Sequence, residues 1–347
     1  MNFYLIGVDY KSAPPEIRQK LYLRRRQIEH FWNSIVALDT AILVTCNRFD
    51  VSISARTEKE IIANLGLFKK EFPEFYAHSY IKQTTYEVLR YGLRLACGFE
   101  SQLKGEFQIL EQLQLWLKQD KFPESLFEFW SEITKLASEI RVKSGLNSNE
   151  INIARLLFED LKDIETDNGK LKIAVVGTGK VAGLLLECKP DNVQFLFVAH
   201  KNRLKAEFLA SQVGAQVLSF DQFKEVLPKM HVLVSAASSP HIILRSEDIP
   251  DSVSRRDKPL YIYDLGFPMN VAKDLGYRKN IILKNLDDLV LPAENTNNYL
   301  QVNFNLAEYL IEEMINCHSE GALLGATEES ILKRDSSSPR NRRGSSE

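Results

Sequence analysis

Apolar residues recur along this chain in two rhythms, and the rhythm changes near residue 165. Before that point, residues 2–8 (NFYLIGV) and 41–45 (AILVT) read as short buried strands. Residues 50–55 (DVSISA) alternate with a strand's period of two. Residues 15–37 carry helix formers at helical apolar spacing. Strands mixed with helices predict a compact α+β first domain over residues 1–145. A long connecting helix is predicted from Phe122 to about Ser144, with Pro123 near its start and Gly145 as its stop. A second helix is predicted over 151–163.

Beyond the turn-rich stretch 165–170 (ETDNGK), apolar segments alternate with helical ones: KIAVV, VQFLFV, HVLVSA, LYIYD and NIIL, with helices starting near Lys180 and Arg203. That order predicts a doubly wound parallel sheet, a Rossmann-like α/β domain over 146–292. Residues 296–318 return to a helical pattern within a short C-terminal segment, 293–320. The polar run 321–347 is expected to be disordered.

Composition narrows the class. The chain has 347 residues, enough for two cores, and its 44% hydrophobic and 26% charged content is that of a globular protein. No apolar run approaches the roughly 20 residues of a membrane span. The opening MNFYLIGVDYKSAPPE carries Asp9 too early for a secretory signal. A net charge of -2 gives no global basic field, so any contact with nucleic acid rests on local patches. Cys46, Cys97, Cys188 and Cys317 are scattered without metal-ligand spacing. A reduced, cytoplasmic setting without a metal site is expected.

Gly177-Thr178-Gly179-Lys180-Val181-Ala182 forms G-x-G-x-x-A directly after KIAVV and at the start of a helix. The first glycine permits the tight turn, the second lets backbone approach a pyrophosphate, and the small third position lets helix and strand pack closely. These six residues are the expected cofactor cradle; the alternative is a glycine turn with no ligand. No acidic residue follows the second strand, as an NAD site usually requires. Lys201, with Arg203 or Lys205 nearby, stands there instead. Pairing with a 2′-phosphate favours NADPH, and solvated charges at a helix start are the alternative. The loop Ala236–His241 suits the carboxyl end of the sheet, where His241 is read as a local cap rather than a catalytic group.

Thr45-Cys46-Asn47-Arg48 ends a buried strand in a polar cluster. A thiolate is the reactive form of cysteine, and Arg48 two residues away would stabilise it; an inert buried cysteine is the alternative. The tetrad resembles the T-C-N-R active-site motif of the glutamyl-tRNA reductase family. Gly7-Val8-Asp9-Tyr10-Lys11-Ser12-Ala13-Pro14 is similar to that family's G-x-x-[HY]-K-T-A-P. Residues 96–101 (ACGFES), 105–112 (GEFQILEQ) and 285–289 (NLDDL) resemble A-S-G-L-D-S, G-E-P-Q-I-L-G-Q and N-I-D-D-L, in order. The likeness runs from residue 3 to about 318.

The resemblance implies NADPH-dependent reduction of glutamyl-tRNA(Glu) to glutamate-1-semialdehyde, the first committed step of tetrapyrrole synthesis, through a thioester on Cys46. It implies that Thr45, Asn47, Arg48, Ser101, Glu106, Phe107, Gln108 and Gln112 surround the glutamate. It also implies a homodimer through the C-terminal helix and an aminomutase that takes the product. Tyr91 stands where the family has a histidine, and a phenol (pKa about 10) is a poor base near neutrality. Phe107 replaces a proline, Gln114 a lysine, and Lys143 an acidic residue. The C-terminal helical region reads as shorter than usual. These departures leave a second reading open, a paralogue that binds glutamyl-tRNA or regulates the active reductase. An unrelated NADPH-dependent dehydrogenase with an added N-terminal domain is a third.

Overall fold

A computed structural model describes residues 1–146, 152–166, 169–199, 202–237, 239–293 and 301–319. Two sheets organise them. The first is antiparallel, in the order β2-β3-β1-β4, from β1 (Asn2–Asp9), β2 (Asp39–Val44), β3 (Arg48–Ala55) and β4 (Tyr80–Lys82). Helices cover both of its faces, which explains why β1 reads as a continuous apolar run. Tyr4, Ile6 and Val8 point to α1 (Pro15–Leu23), α2 (Arg25–Asn33), α3 (Glu58–Glu71) and α4 (Pro73–Ala77). Phe3 and Leu5 point the other way, to α5 (Thr85–Ala96), α6 (Gln108–Trp116) and α7 (Glu124–Ser144).

The predicted helix over 15–37 is two helices with a corner at Arg24, whose N–H reaches the carbonyls of both Lys20 and Leu21. The bend lets Leu21, Ile28 and Trp32 all reach the same core. The alternation in β3 does not place its polar side in water. Asp50, Ser52 and Ser54 are buried, and Trp130 of α7 donates to the Ser52 hydroxyl at 2.7 Å. The stop at Gly145 takes the left-handed conformation, φ 76°. Helix α7 buries ten of its residues in this domain and leads on to α8 (Ile153–Asp160).

The second sheet is parallel throughout, in the order β10-β9-β8-β5-β6-β7. Its strands and helices are β5 (Leu171–Val176), α9 (Lys180–Glu187), β6 (Val193–Ala199), α10 (Arg203–Ser211), β7 (Gln216–Ser219), α11 (Phe220–Val226), β8 (Val232–Ser235), β9 (Leu260–Asp264), β10 (Ile281–Asn285) and α12 (Leu286–Ala293). Counted along the chain the order is 6-5-4-1-2-3, with the reversal between β5 and β8 where dinucleotides bind. Strand β7 has no counterpart in the sequence reading. It is a four-residue edge with only Val217 and Leu218 to mark it.

Helix α13 (Gln301–Ser319) lays Ala307, Ile311 and Ile315 into the core that α5 and α7 share. Arg90 pairs with Glu312 at 2.6 Å, and Arg94 pairs with Glu308. The tail 321–347 lies outside the described residues. No described helix is long and apolar enough to cross a membrane.

Candidate active site

Strands β2 and β3 meet in a tight turn at Thr45-Cys46-Asn47. The Thr45 N–H donates to the Arg48 carbonyl at 3.0 Å, and the Asn47 N–H donates to the Thr45 hydroxyl at 3.2 Å. Cys46 therefore emerges at the end of the sheet, held by its neighbours' backbone. Arg18 of α1 reinforces the turn. Its Nη1 donates to the Cys46 carbonyl at 3.0 Å and to Asn47 Oδ1 at 3.4 Å. Thr45, Cys46 and Arg48 share a narrow cleft of about 10 Å³ with Arg18, Tyr22 and Phe267. Phe267 belongs to the loop after β9, so the dinucleotide domain forms part of the cysteine's wall. Tyr22 and Phe267 meet edge to face at 5.3 Å.

Arg48 is also held in a buried polar cluster. Its Nη1 donates to the Tyr91 hydroxyl at 2.5 Å, its Nη2 donates to the Glu100 carbonyl, and Asp50 lies 3.7 Å away. The Tyr80 hydroxyl lies 2.6 Å from that of Tyr91 and donates to Asp50, and Tyr91 donates to the other Asp50 oxygen at 2.8 Å. Arg48, Asp50 and Tyr91 are almost fully buried. Their charges and hydroxyls thus satisfy one another beneath the turn. No hydrogen bond joins Tyr91 to Cys46 among the described residues, and burial raises the Tyr91 phenol well above its ordinary pKa.

Burial pushes the Cys46 thiol up to about 12, and the charge of Glu106 adds to the rise. Arg18 and Arg48 oppose the shift without overcoming it. Arg48 thus favours the thiolate, as expected, but burial outweighs it.

The remaining expected glutamate-pocket residues lie on the segment after α5 and on α6. Ser101 is buried and Glu106 partly exposed on a doubled-back loop, where Gly98 and Gly105 pass so closely that a Cβ on Gly98 (φ 86°) would meet the Gly105 Cα at 2.9 Å. Arg141 of α7 pins this loop, donating to the carbonyls of Cys97 at 2.8 Å, Gly105 at 2.9 Å and Leu146 at 2.5 Å. Its guanidinium lies 5.2 Å from the Phe107 ring. Burial raises the Glu106 carboxyl, against the Ser101 hydrogen bond and Arg48. Gln108 and Gln112 sit one turn apart on α6, both partly exposed. None of these five lines the Cys46 cleft.

Sequence reading missed what joins the two halves. Asp287, at the start of α12, accepts from Arg18 at 3.1 and 3.3 Å and from Gln102 Nε2 at 2.7 Å. One carboxylate from the dinucleotide domain thus ties down both the cysteine turn and the Ser101–Glu106 loop. A signal existed for Arg18: it sits beside Leu21 on the apolar side of α1, where an arginine needs a partner.

The glycine motif has its expected context. Gly177 takes φ 119°, and a Cβ there would meet the Ala236 carbonyl at 2.6 Å. Gly179 caps α9, and Ala182 is fully buried against the sheet. Only a residue without a side chain fits at 177, which leaves bare backbone facing the crevice, as a pyrophosphate requires. Lys180 pairs with Glu111 of α6. Lys201 lies outside the described residues, and Arg203 pairs with Glu207 within α10 at 2.8 Å. His241 takes a local place, its N–H donating to Ser239. Asp264, pushed up to about 6 by burial, accepts the N–H groups of Gly266, Asn270 and Val271 and so fixes the loop carrying Phe267. Among the described residues no cluster of three or more metal-ligating side chains occurs.

Comparison with known proteins agrees with both halves. Residues 6–148 match the family described as "Glutamyl-tRNAGlu reductase, N-terminal domain". Residues 159–291 match "Shikimate / quinate 5-dehydrogenase". A glutamyl-tRNA reductase of Thermus thermophilus is 30% identical over 305 residues, covering 83% of this chain and 73% of its own. One from Chromohalobacter salexigens is 25% identical over 327 residues, covering 91% and 77%. The solved glutamyl-tRNA reductase of Methanopyrus kandleri aligns over 92% of this chain and 79% of its own at 21% identity, with a TM-score of 0.46. With a 30% identical relative aligned over most of both chains, and its two halves matched in the right order, this chain belongs to the glutamyl-tRNA reductase family.

Proposed function

We propose that this chain reduces glutamate esterified to tRNA(Glu) to glutamate-1-semialdehyde, with NADPH as reductant, and so commits glutamate to tetrapyrrole synthesis. The observation that carries this reading is the cleft that holds Cys46 and is walled by Phe267 of the dinucleotide domain. Nucleophile and reductant domain meet there. Cys46 Sγ attacks the ester carbonyl, the C–O bond to the ribose breaks, and the thiol proton balances the departing oxygen. NADPH supplies the hydride that converts a thioester into an aldehyde. The cysteine then leaves as a thiol, taking up one proton. Thr45 and Asn47 shape the turn that presents Sγ. Ser101, Glu106, Gln108 and Gln112 are proposed to hold the glutamate's charged groups, and Phe107 with Arg141 to support their loop. Tyr91 acts as a positioning residue through Arg48.

Single-turnover reaction with charged tRNA is the test. Glutamate should appear on Cys46 without cofactor and leave as semialdehyde when NADPH is added. Charged tRNA that binds but never transfers glutamate would establish the binding paralogue instead. NADPH should bind more tightly than NADH, and Lys201→Asp should narrow or reverse the gap. Equal dissociation constants in the unmodified protein would remove the 2′-phosphate argument. The same reading includes a homodimer through the outer side of α13, where Val302, Leu306 and Tyr309 are exposed, with product passing to an aminomutase in the cytoplasm.

Asp287 gives a sharper test of the link between domains. Asp287→Asn should cost about 1–3 kcal/mol of stability by leaving buried Arg18 without its charge partner. Reduction of a preformed thioester should slow more than thioester formation itself, with KM for charged tRNA little changed. Equal slowing of both steps would show that the carboxylate serves only the cysteine turn.

A further inference from the structure

We infer that the corner between α1 and α2, Arg24-Arg25-Arg26 with Tyr22, is the platform on which the unpaired 3′ end of the tRNA docks. The inference rests on the proposed activity and adds to it a surface for the substrate. With a net charge of -2, the chain has no general attraction for a polyanion, so three consecutive arginines form a local exception. Arg24 and Arg26 are exposed and Arg25 partly so, and none of the three makes an ion pair with a carboxylate among the described residues. Two of the acids nearby are neutralised by other cations, Glu74 by Lys20 at 3.2 Å and Glu16 by Lys273, while Glu29 stands one turn on along α2.

The corner also offers flat surfaces. The Arg25 guanidinium lies 4.4 Å from the Tyr22 ring centre and donates to the Tyr22 carbonyl at 3.3 Å. Arg24 lies 5.1 Å from the ring of Phe72, which is buried, so the guanidinium plane is the surface presented there, and it donates to Gln27 at 3.0 Å. Unpaired nucleotides are held by stacking on aromatic rings and guanidinium planes, while guanidinium forks pair with phosphates. Position fixes which part of the RNA arrives. Tyr22 lines the cleft that holds Cys46, and its ring contacts Phe267 on the opposite wall. The ester carbon must reach Cys46 Sγ, so the nucleotides next to the ester pass Tyr22 and the arginines behind it.

The test is glutamate transfer from charged tRNA to Cys46, measured against tRNA concentration and salt. The variants are Arg24→Gln/Arg25→Gln/Arg26→Gln together and Arg26→Gln alone. In the triple variant the half-saturating tRNA concentration should rise at least about tenfold, and the log–log salt slope should fall by about two to three. Arg26→Gln alone should lower the slope by about one, which guards against a folding defect in the triple variant. Iodoacetamide labelling of Cys46, read by mass spectrometry of its peptide, should proceed at the unmodified rate in both. A short single strand matching the tRNA 3′ end should compete with charged tRNA better than a duplex of the acceptor stem. Unchanged half-saturation and slope, with transfer intact, would overturn the platform and leave the activity standing. Better competition by the duplex would overturn the choice of the 3′ end. Absence of transfer in the unmodified protein would overturn both the activity and the platform.

Discussion

Cys46→Ser is expected to abolish semialdehyde formation, leaving less than about one ten-thousandth of the unmodified single-turnover rate. The replacement preserves the turn, because the contacts that hold it run through the Cys46 carbonyl and the backbone of Thr45 and Asn47, not through Sγ. What would be lost is the proposed nucleophile: a hydroxyl is far weaker than sulfur and forms an ester rather than a readily reduced thioester. Rapid-quench detection of protein-bound glutamate measures the first step, and cofactor oxidation the second. A serine variant that still oxidised cofactor at a comparable rate would end the thioester mechanism.

The same thiol carries a pH signature. Burial and Glu106 push it up to about 12. At pH 7 only roughly 1 in 100,000 molecules then holds a thiolate. Iodoacetamide labelling of Cys46 in the free protein should therefore rise about tenfold per pH unit between 7 and 10 without a plateau. A plateau near pH 7 would show that Arg18 and Arg48 do hold a thiolate. With the expected slope, deprotonation belongs to the substrate complex, where the developing negative charge passes to the ester.

The cysteine motif and the glycine motif were legible because each is a contiguous run whose chemistry depends on its own backbone. Gly177 needs a positive φ and must itself lack a Cβ, because the Ala236 backbone passes 2.6 Å from where one would stand; both demands mark the sequence with a glycine. The parallel sheet was legible for the same reason, except at β7, whose edge position needs little apolar content. Helices α3 and α5 left a local mark that went unread. Thr57 with Glu60, and Thr84 with Glu87, form capping boxes at the three-residue spacing such boxes require. The setting of Arg48 was not legible at all. Its partners Tyr91 and Asp50 come from α5 and β3, and Tyr80 from β4, so only the folded sheet shows that the guanidinium turns inward. Nor does a helical pattern over 296–318 say which partner the helix covers. Burial of Ala307, Ile311 and Ile315 against the first domain answers that.

Arg48→Met is expected to destabilise the protein by about 3–5 kcal/mol, because it leaves the Asp50 carboxylate buried with two phenols and no cation. Asp50→Leu in the same chain should recover part of that loss, since the stranded charge is then gone as well. Tyr91→Phe removes one donor to Asp50 and one acceptor for Arg48, and should cost about 1–3 kcal/mol. Urea unfolding of the single and double variants at neutral pH measures all three. The histidine of the family at position 91 then has a clear expected result here. Tyr91→His should not accelerate glutamate transfer, because its imidazole would sit between a guanidinium and a carboxylate beneath the turn, out of contact with the ester. An Arg48→Met variant that kept full stability but lost glutamate binding would overturn this account, placing Arg48 on the substrate and Tyr91 within reach of the chemistry.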